Sequence, residues 1–188
     1  MKRLLLAIVC CVLCPFTDVC AKEYKSDEIK ECGAGLMCDL KGNLVTGIER
    51  DHYLECDKLT YEISYKNGLR DGMEREYEDG KLVDELPYKN GLKEGIRRSY
   101  YKNGNLWEET PYKNDKKDGV YKNHFENGVL AEEGLYKNGK KEGLWKNYYS
   151  NGTLNHTVFY KNNRRVGTEK YFREDGKVFA EYYYNDDI

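Results

Sequence analysis

The chain has 188 residues, with 31 Lys or Arg against 33 Asp or Glu, so its charges nearly balance at a net charge of −2. This balance disfavours nucleic acid as a partner, because nucleic-acid-binding proteins concentrate basic residues in a patch or stripe. The 18 tyrosines, 5 phenylalanines and 2 tryptophans argue against a disordered chain, which is poor in aromatic residues. Aromatic residues favour β-strands instead.

Residues 1–21 are predicted to be a secretory signal peptide. Two basic residues precede an apolar run from Leu4 to Phe16, and cleavage is expected after Ala21. The run is too short to span a membrane, which takes about 20 residues. The mature chain is therefore expected to be exported and to be periplasmic, secreted or held at the cell surface.

Residues 22–35 are predicted to form a mobile leader before the repeats. Three cysteines remain after removal of the signal peptide, namely Cys32, Cys38 and Cys56. An odd number leaves one thiol unpaired or engaged in a bond between chains. Cys32 and Cys56 fall two strand spacings apart, about 9.6 Å, whereas the Cα atoms of a disulfide lie within about 7 Å. A Cys32–Cys38 bond and a distorted first repeat are the two alternatives.

Residues 36–188 are predicted to form one repeat domain, in which the first repeat is degenerate. A register of tyrosines recurs at steps of 23 or 24 residues and consists of Tyr65, Tyr88, Tyr112, Tyr136, Tyr160 and Tyr184. A fixed period of this length is typical of repeat architectures. Asn-Gly and Asp-Gly pairs separate short aromatic runs, which predicts two strands and two turns in each repeat. The sequence therefore predicts an all-β fold, an elongated single-layer antiparallel sheet built from β-hairpin repeats of about 24 residues.

The alignment of the repeats also predicts which charges face each other across a hairpin. If the repeating tyrosine pairs with the glycine seven residues later, four hairpins place a glutamate opposite a basic residue. The pairs are Glu62–Arg75, Glu85–Arg98, Glu109–Lys122 and Glu133–Lys146, and the fifth hairpin places Thr157 opposite Lys170. Opposite charges that face each other favour one register. We expect this ladder on a solvated side of the sheet, where it specifies pairing more than it stabilises the fold.

Aromatic side chains are the candidates for partner binding, because exposed aromatic stripes are typical of interaction surfaces. Tyr121 and Trp145 share one repeat position and are the strongest candidates, and Tyr100 and Tyr148 are further ones. The last strand, 178–187, is aromatic and ends the chain, so we expect self-association or a pairing partner at this edge.

No catalytic, cofactor or metal site is predicted. His52, His124 and His156 fall in different repeat positions and lack metal-ligand spacing. The glycines follow the turn period rather than a phosphate-binding motif, and the carboxylates recur with the repeat. We therefore predict a non-enzymatic protein. Balanced charge without a basic cluster also disfavours binding to anionic membrane lipid.

The segment Gly143-LWKNYYSNGTLNHTVFYKN resembles the variant MORN repeat. The resemblance covers about residues 36–184 and implies an elongated, twisted antiparallel sheet of successive hairpins. MORN repeats are associated with protein contacts, dimerisation and sometimes membrane lipids, and bacterial proteins built only from them are similar to the YwqK-type antitoxin group. Together with the predicted signal peptide, the resemblance predicts an exported protein that contacts another protein along its sheet or, as the alternative, an antitoxin or immunity protein that neutralises a toxin in the exported compartment. Only Trp145 occupies the tryptophan position of the family.

Overall fold

A computed structural model describes residues 23–33, 35–52 and 59–185 of the protein. The predicted signal peptide, Cys56 and the last three residues lie outside the described residues. Among the residues that the structure describes, no helix is long and apolar enough to cross a membrane.

The described residues form seventeen β-strands and one short 3-10 helix, Ser26–Glu28. In chain order the strands are β1 (Glu23–Lys25), β2 (Ile29–Glu31), β3 (Met37–Asp39), β4 (Gly47–His52), β5 (Leu59–Lys66), β6 (Leu69–Glu78), β7 (Lys81–Lys89), β8 (Leu92–Lys93), β9 (Gly95–Tyr100), β10 (Leu106–Lys113), β11 (Lys116–Lys117), β12 (Gly119–His124), β13 (Leu130–Lys137), β14 (Lys140–Tyr148), β15 (Leu154–Lys161), β16 (Arg164–Phe172) and β17 (Val178–Tyr184). Strands rich in aromatic and β-branched residues alternate with turns of Asn, Asp and Gly, as the chemistry of these residue types favours.

Fifteen of the strands form one long sheet, in which β1 lies next to β4 and the long strands from β4 to β17 follow one another in chain order. From β4 to β17 the neighbouring strands are antiparallel, and β8 and β11 are short pieces that pair with β7 and β10. At about 4.8 Å per strand, the strands that follow one another from β1 to β17 extend over roughly 58 Å. The prediction of one long antiparallel sheet of hairpins is confirmed.

The repeated Asn-Gly turns form because their residues adopt positive φ angles. Asn67 and Gly68 have φ angles of 51° and 78°, and Asn138 and Gly139 have φ angles of 50° and 82°. Two successive residues with positive φ are typical of the type I′ turn, whose twist matches that of antiparallel strands. The Gly139 N–H also donates to the Lys117 carbonyl of the preceding hairpin at 2.7 Å. Each turn therefore closes its own hairpin and also binds the hairpin before it.

A β-bulge separates the turn from the charge positions in the first hairpin of the repeats. We expected Tyr65 to face Gly72, but Tyr65 pairs with Arg70, and Gly72 pairs with Tyr88 of the next strand. The register shifts between Ile63 and Tyr65. A bulge places extra residues on one strand, so the predicted register is wrong beside the turn and correct beyond the bulge.

The segment before the repeats packs on the first hairpin instead of forming the predicted mobile leader. β1 pairs in parallel with β4, and β2 and β3 form a separate two-stranded sheet. Cys32 and Cys38 form a disulfide that joins the ends of this small hairpin, which is one of the two alternatives left open by the sequence. Tyr24 and Ile29 are buried together with Val45. Burial of these apolar side chains holds the segment against the sheet.

Replacing Cys32 with serine is expected to loosen the N-terminal hairpin and leave the repeats intact. The disulfide closes a short loop, and its loss should lower the local free energy of unfolding by about 2 kcal/mol. Hydrogen exchange is therefore expected to become faster for amides of β2 and β3 and to stay unchanged from β9 to β16. Faster exchange throughout β9 to β16 would contradict this prediction.

Candidate interaction surface

Charges of alternating sign cross the sheet in a single row, with one residue from each long strand and one uncharged member, Thr157. The row, which we call the charge ladder, consists of Arg50, Glu62, Arg75, Glu85, Arg98, Glu109, Lys122, Glu133, Lys146, Thr157, Lys170 and Glu181. The four predicted hairpin pairs are cross-strand neighbours within it, and Thr157 faces Lys170 as expected. Each glutamate up to Glu133 also faces a basic residue on its other side, so the ladder joins successive hairpins. The predicted charge register is confirmed.

Tyrosine hydroxyl groups reinforce the ladder. The Tyr148 hydroxyl donates to Glu133 Oε1 at 2.8 Å, and Lys146 Nζ lies 3.0 Å from the same oxygen. These two donors hold the pKa of Glu133 below its usual range, while burial and the hydrogen bond to Glu133 raise the pKa of Tyr148 to about 12. Tyr100 donates in the same way to Glu85 at 3.0 Å. Exposed ion pairs contribute about 0–1 kcal/mol each, so the ladder chiefly specifies which strands pair.

A row of exposed apolar side chains runs beside the charge ladder on the same face. Leu144 stands two residues before Lys146 in β14, and side chains two residues apart in a strand share a face. Cross-strand pairing places Leu144 opposite Phe159. We call this set the apolar row; it consists of Ile96, Val120, Leu135, Leu144, Phe159 and Tyr183, with exposed fractions of 40%, 56%, 39%, 37%, 45% and 73%.

Sequence reasoning missed the apolar row, although a signal for it exists. Ile96, Val120 and Leu144 are spaced by 24 residues, and so are Leu135, Phe159 and Tyr183. The predicted Tyr100 and Tyr148 do lie on the same face as the row, but they are half-buried and their hydroxyl groups are bound to the ladder. The exposed apolar surface of this face is thus mainly aliphatic.

The opposite face carries the repeating tyrosines, which alternate with basic residues. This tyrosine–cation row consists of Tyr65, Arg70, Tyr88, Lys93, Tyr112, Lys117, Tyr136, Lys141, Tyr160, Arg165 and Tyr184. The Arg70 guanidinium lies 5.2 Å from the centroid of the Tyr88 ring, and Lys141 Nζ lies 5.2 Å from that of Tyr160. Contacts of this kind contribute about 0.5–1 kcal/mol each at exposed sites, so the row helps to bind each hairpin to the next.

Trp145 and Tyr121 lie in the interior of this second face and not on an exposed stripe. Trp145 is 1% exposed and Tyr121 is 9% exposed. Their rings stack with centroids 5.7 Å apart, and Tyr136 meets Trp145 edge-on at 5.1 Å. Trp145 covers Gly134, where a Cβ atom would lie 2.1 Å from the indole ring. The structure therefore contradicts the exposed aromatic stripe expected at this position, because the missing side chain of Gly134 admits the indole and the neighbouring rings cover it.

The repeats match a known family over most of the sheet. The MORN repeat variant matches five consecutive segments, residues 73–90, 93–114, 117–138, 141–162 and 165–186. The chain belongs to the MORN repeat variant family. No curated protein matches the chain. The family is generally non-enzymatic and forms repeat binding modules, so the chain is a repeat protein whose extended β-sheet suits interaction.

A buried carboxylate occupies the position of Trp145 in the next MORN repeat. Glu169 is 1% exposed, accepts a hydrogen bond from the Tyr184 hydroxyl at 2.8 Å, and lies 2.8 Å from His156 Nε2 and 3.3 Å from Arg165 Nη1. Burial alone would raise the pKa of Glu169, but the donors from Tyr184 and His156 and the charge of Arg165 outweigh it and lower that pKa. Within the described ranges, no three His, Cys, Asp or Glu residues come close enough together to hold a metal ion. The carboxylate thus completes a hydrogen-bonded cluster within the sheet.

The two ends of the MORN sheet differ in whether another strand covers the edge strand. At the N-terminal end, β1 covers part of the edge of β4. At the C-terminal end, the described residues of β17 pair with β16 alone, and Phe179, Tyr182 and Tyr183 are exposed by half or more. The last strand is therefore the edge at which the sequence predicts self-association.

Proposed function

We propose that this MORN repeat protein binds another protein along the face of the charge ladder, with the apolar row at the centre of the contact. The apolar row carries the proposal, because six of the eight strands from β9 to β17 contribute an exposed apolar side chain to it, over about 34 Å at 4.8 Å per strand. Monomeric soluble proteins rarely expose large apolar patches. The adjacent charge ladder supplies alternating charges that set the register of a partner more than its affinity.

We further propose that binding takes place after export. Residues 1–21 are predicted to be a signal peptide. The Cys32–Cys38 disulfide supports this proposal, because disulfides persist in oxidising compartments such as the periplasm and the cell exterior. The partner is therefore expected among exported or surface proteins.

The experiment is affinity capture from the exported fraction with residues 22–188 as bait. Three baits are compared: the wild type, the row variant Leu144→Ser/Phe159→Ser, and a control, Leu92→Ser/Trp107→Ser, which removes two apolar side chains of similar exposure outside the row. We expect a protein that the wild type and the control retain and that the row variant retains at least tenfold less. Circular dichroism confirms that all three are folded. Equal retention by the three baits would contradict the proposal.

The antitoxin or immunity role stays a prediction. In the same experiment, this role requires the captured protein to be a toxin whose activity falls when the purified chain is added. Capture of the chain alone would instead indicate self-association, and deletion of β17 would then be expected to abolish it.

A further inference from the structure

One long edge of the sheet is basic, namely the edge with the turns that contain Asn67, Asn90, Asn114, Asn138 and Asn162. Five hairpins have their turns on this edge, since the two strands of each hairpin are joined there and successive hairpins are joined at the opposite edge. Its exposed cations, which we call the basic edge, are Lys66, Lys89, Lys113, Lys116, Lys137, Lys140, Lys161 and Arg164. Lys113, Lys137 and Lys161 are 24 residues apart in the chain. The sequence therefore shows no basic cluster, and the fold creates one.

Three successive hairpins of the basic edge place like charges directly opposite each other. The pairs are Lys113–Lys116, Lys137–Lys140 and Lys161–Arg164. Like charges that face each other across two strands are destabilising. The first two of these hairpins place opposite charges together on the charge ladder, and the third places Thr157 opposite Lys170. Facing charges are of opposite sign along most of the charge ladder, but they are of the same sign three times at the basic edge. This departure indicates a function for the basic edge.

The carboxylates near the turns are held by backbone groups. Asp118 Oδ2 accepts a hydrogen bond from the Asn138 N–H at 2.9 Å, and Glu142 Oε2 accepts one from the Asn162 N–H at 3.0 Å. In the last of the five hairpins, the equivalent position is Val166. Positive charge therefore increases along the edge towards the C-terminal hairpins.

The cations of the two long edges differ in whether they form ion pairs. In the described part of the chain, Lys113, Lys116, Lys137 and Lys140 form no ion pair with a carboxylate. On the opposite edge, Lys102 Nζ lies 3.1 Å from Glu78 Oε1, and Lys177 Nζ lies 3.5 Å from Asp175 Oδ2. These four lysines of the basic edge are thus available to an external anion.

The basic edge presents positive charge, but its N–H groups and tyrosine rings are not open to bind the aromatic rings of a ligand. The turn N–H groups are already used, because the Asn138 N–H binds Asp118 and the Gly139 N–H binds the Lys117 carbonyl. The tyrosine rings next to the edge are half-buried beneath cations, as Lys117 Nζ lies 5.1 Å from the Tyr136 ring centroid. Single-stranded nucleic acid normally stacks its bases on open aromatic rings beside a basic groove. A ligand of high charge density that has no rings to stack fits this edge better.

The path of the basic edge also disfavours a flat membrane surface. Neighbouring strands twist by about 20–25°, so five turns that are two strands apart rotate by roughly 160–200° around the sheet. Successive turns lie about 9.6 Å apart and the five extend over about 38 Å. A plane contacts only the turns on one side of this path, whereas a flexible chain follows all of them. We propose that the basic edge binds a flexible linear chain of linked phosphate groups.

The test is direct binding of the mature chain, residues 22–188, to inorganic polyphosphate and to triphosphate. Polyphosphate long enough to reach over the five turns is expected to bind at least tenfold more tightly than triphosphate at low salt. The edge variant Lys137→Gln/Lys140→Gln/Lys161→Gln/Arg164→Gln is expected to lose at least tenfold in affinity. The slope of log affinity against log salt is expected to become shallower by about 3, because each cation at a single-stranded polyanion contributes about 0.7.

The matched control is Lys81→Gln/Lys102→Gln/Arg173→Gln/Lys177→Gln, which removes the same charge from exposed positions at the opposite edge. It is expected to stay within twofold of the wild type. Equal losses in both variants would overturn the proposal, and so would equal affinity for triphosphate and the long polymer. Tighter binding to vesicles of anionic phospholipid or to oligothymidylate, with the same residues required, would overturn it as well. The row variant Leu144→Ser/Phe159→Ser is expected to bind polyphosphate normally, so this inference stands apart from the proposed protein partner.

Discussion

Replacing Gly134 with threonine is expected to lower the free energy of unfolding by about 3 kcal/mol, near the upper end of the usual effect of overpacking. A Cβ atom at this position would lie 2.1 Å from the indole ring of Trp145. The indole has little room to move, because Tyr121 stacks on it and Tyr136 and Tyr160 meet it edge-on. Urea denaturation followed by circular dichroism measures the loss.

A second substitution is expected to rescue this variant. In the preceding hairpin, Thr110 and Tyr121 occupy the positions of Gly134 and Trp145, and Thr110 is fully buried there. The chain thus already contains a larger residue paired with a smaller ring. The double variant Gly134→Thr/Trp145→Tyr copies that pair and is expected to recover about 2 kcal/mol relative to Gly134→Thr alone, since residues in contact do not act additively.

Additive effects in this cycle would contradict the packing argument. If Gly134→Thr and Trp145→Tyr lowered stability independently, the indole and the glycine would not share one space. A Gly134→Thr variant as stable as the wild type would also contradict the packing of the indole against Gly134. Because repeat proteins are stabilised by contacts between neighbouring units, hydrogen exchange is expected to locate the loss in β12 to β15.

The sheet and the charge ladder were predictable because both follow from local rules. Asn-Gly and Asp-Gly pairs specify turns through positive φ, and their fixed spacing specifies the strand length. Alternation of side chains in a strand then places Glu133 and Lys146 on one face, and their opposite charges select the register. The prediction of the charge ladder did not depend on the bulge near each turn, because the charged residues lie beyond it.

Burial of the aromatic residues was not predictable in the same way. Trp145 and Tyr121 share one repeat position, but exposure of that position depends on the residue across the hairpin. Gly134 turns an expected exposed stripe into a packed cluster. The N-terminal hairpin was missed for a related reason, since the burial of Tyr24 and Ile29 depends on contacts with Val45 and Tyr65 across the chain. The basic edge could not be predicted without the strand register, because its cations are far apart in sequence.

Replacing Glu169 with glutamine is expected to lower the free energy of unfolding at neutral pH by about 2 kcal/mol, within the range for lost hydrogen bonds to a charged group. The larger cost of an unpaired buried charge does not apply, because the remaining side chain of Arg165 is 47% exposed while that of Glu169 is 1% exposed. Glutamine keeps the shape of the side chain but presents a neutral amide to the Tyr184 hydroxyl and His156. The control is Glu126→Gln, which makes the same replacement of a carboxylate by an amide at an exposed turn residue.

The difference in stability between the wild type and Glu169→Gln is expected to shrink in acid. The pKa of Glu169 is lowered in the folded protein, so its carboxylate stabilises the fold at pH values above the unfolded pKa of about 4.3. This contribution is lost as the pH falls through the lower folded pKa. Other carboxylates with lowered pKa values, such as Glu62 and Glu133, titrate in both proteins and cancel in the difference. Urea denaturation at pH 7 and pH 3 separates the two causes, because the charge contribution becomes smaller below the unfolded pKa, whereas a difference of unchanged size at pH 3 would arise from packing of the side chain.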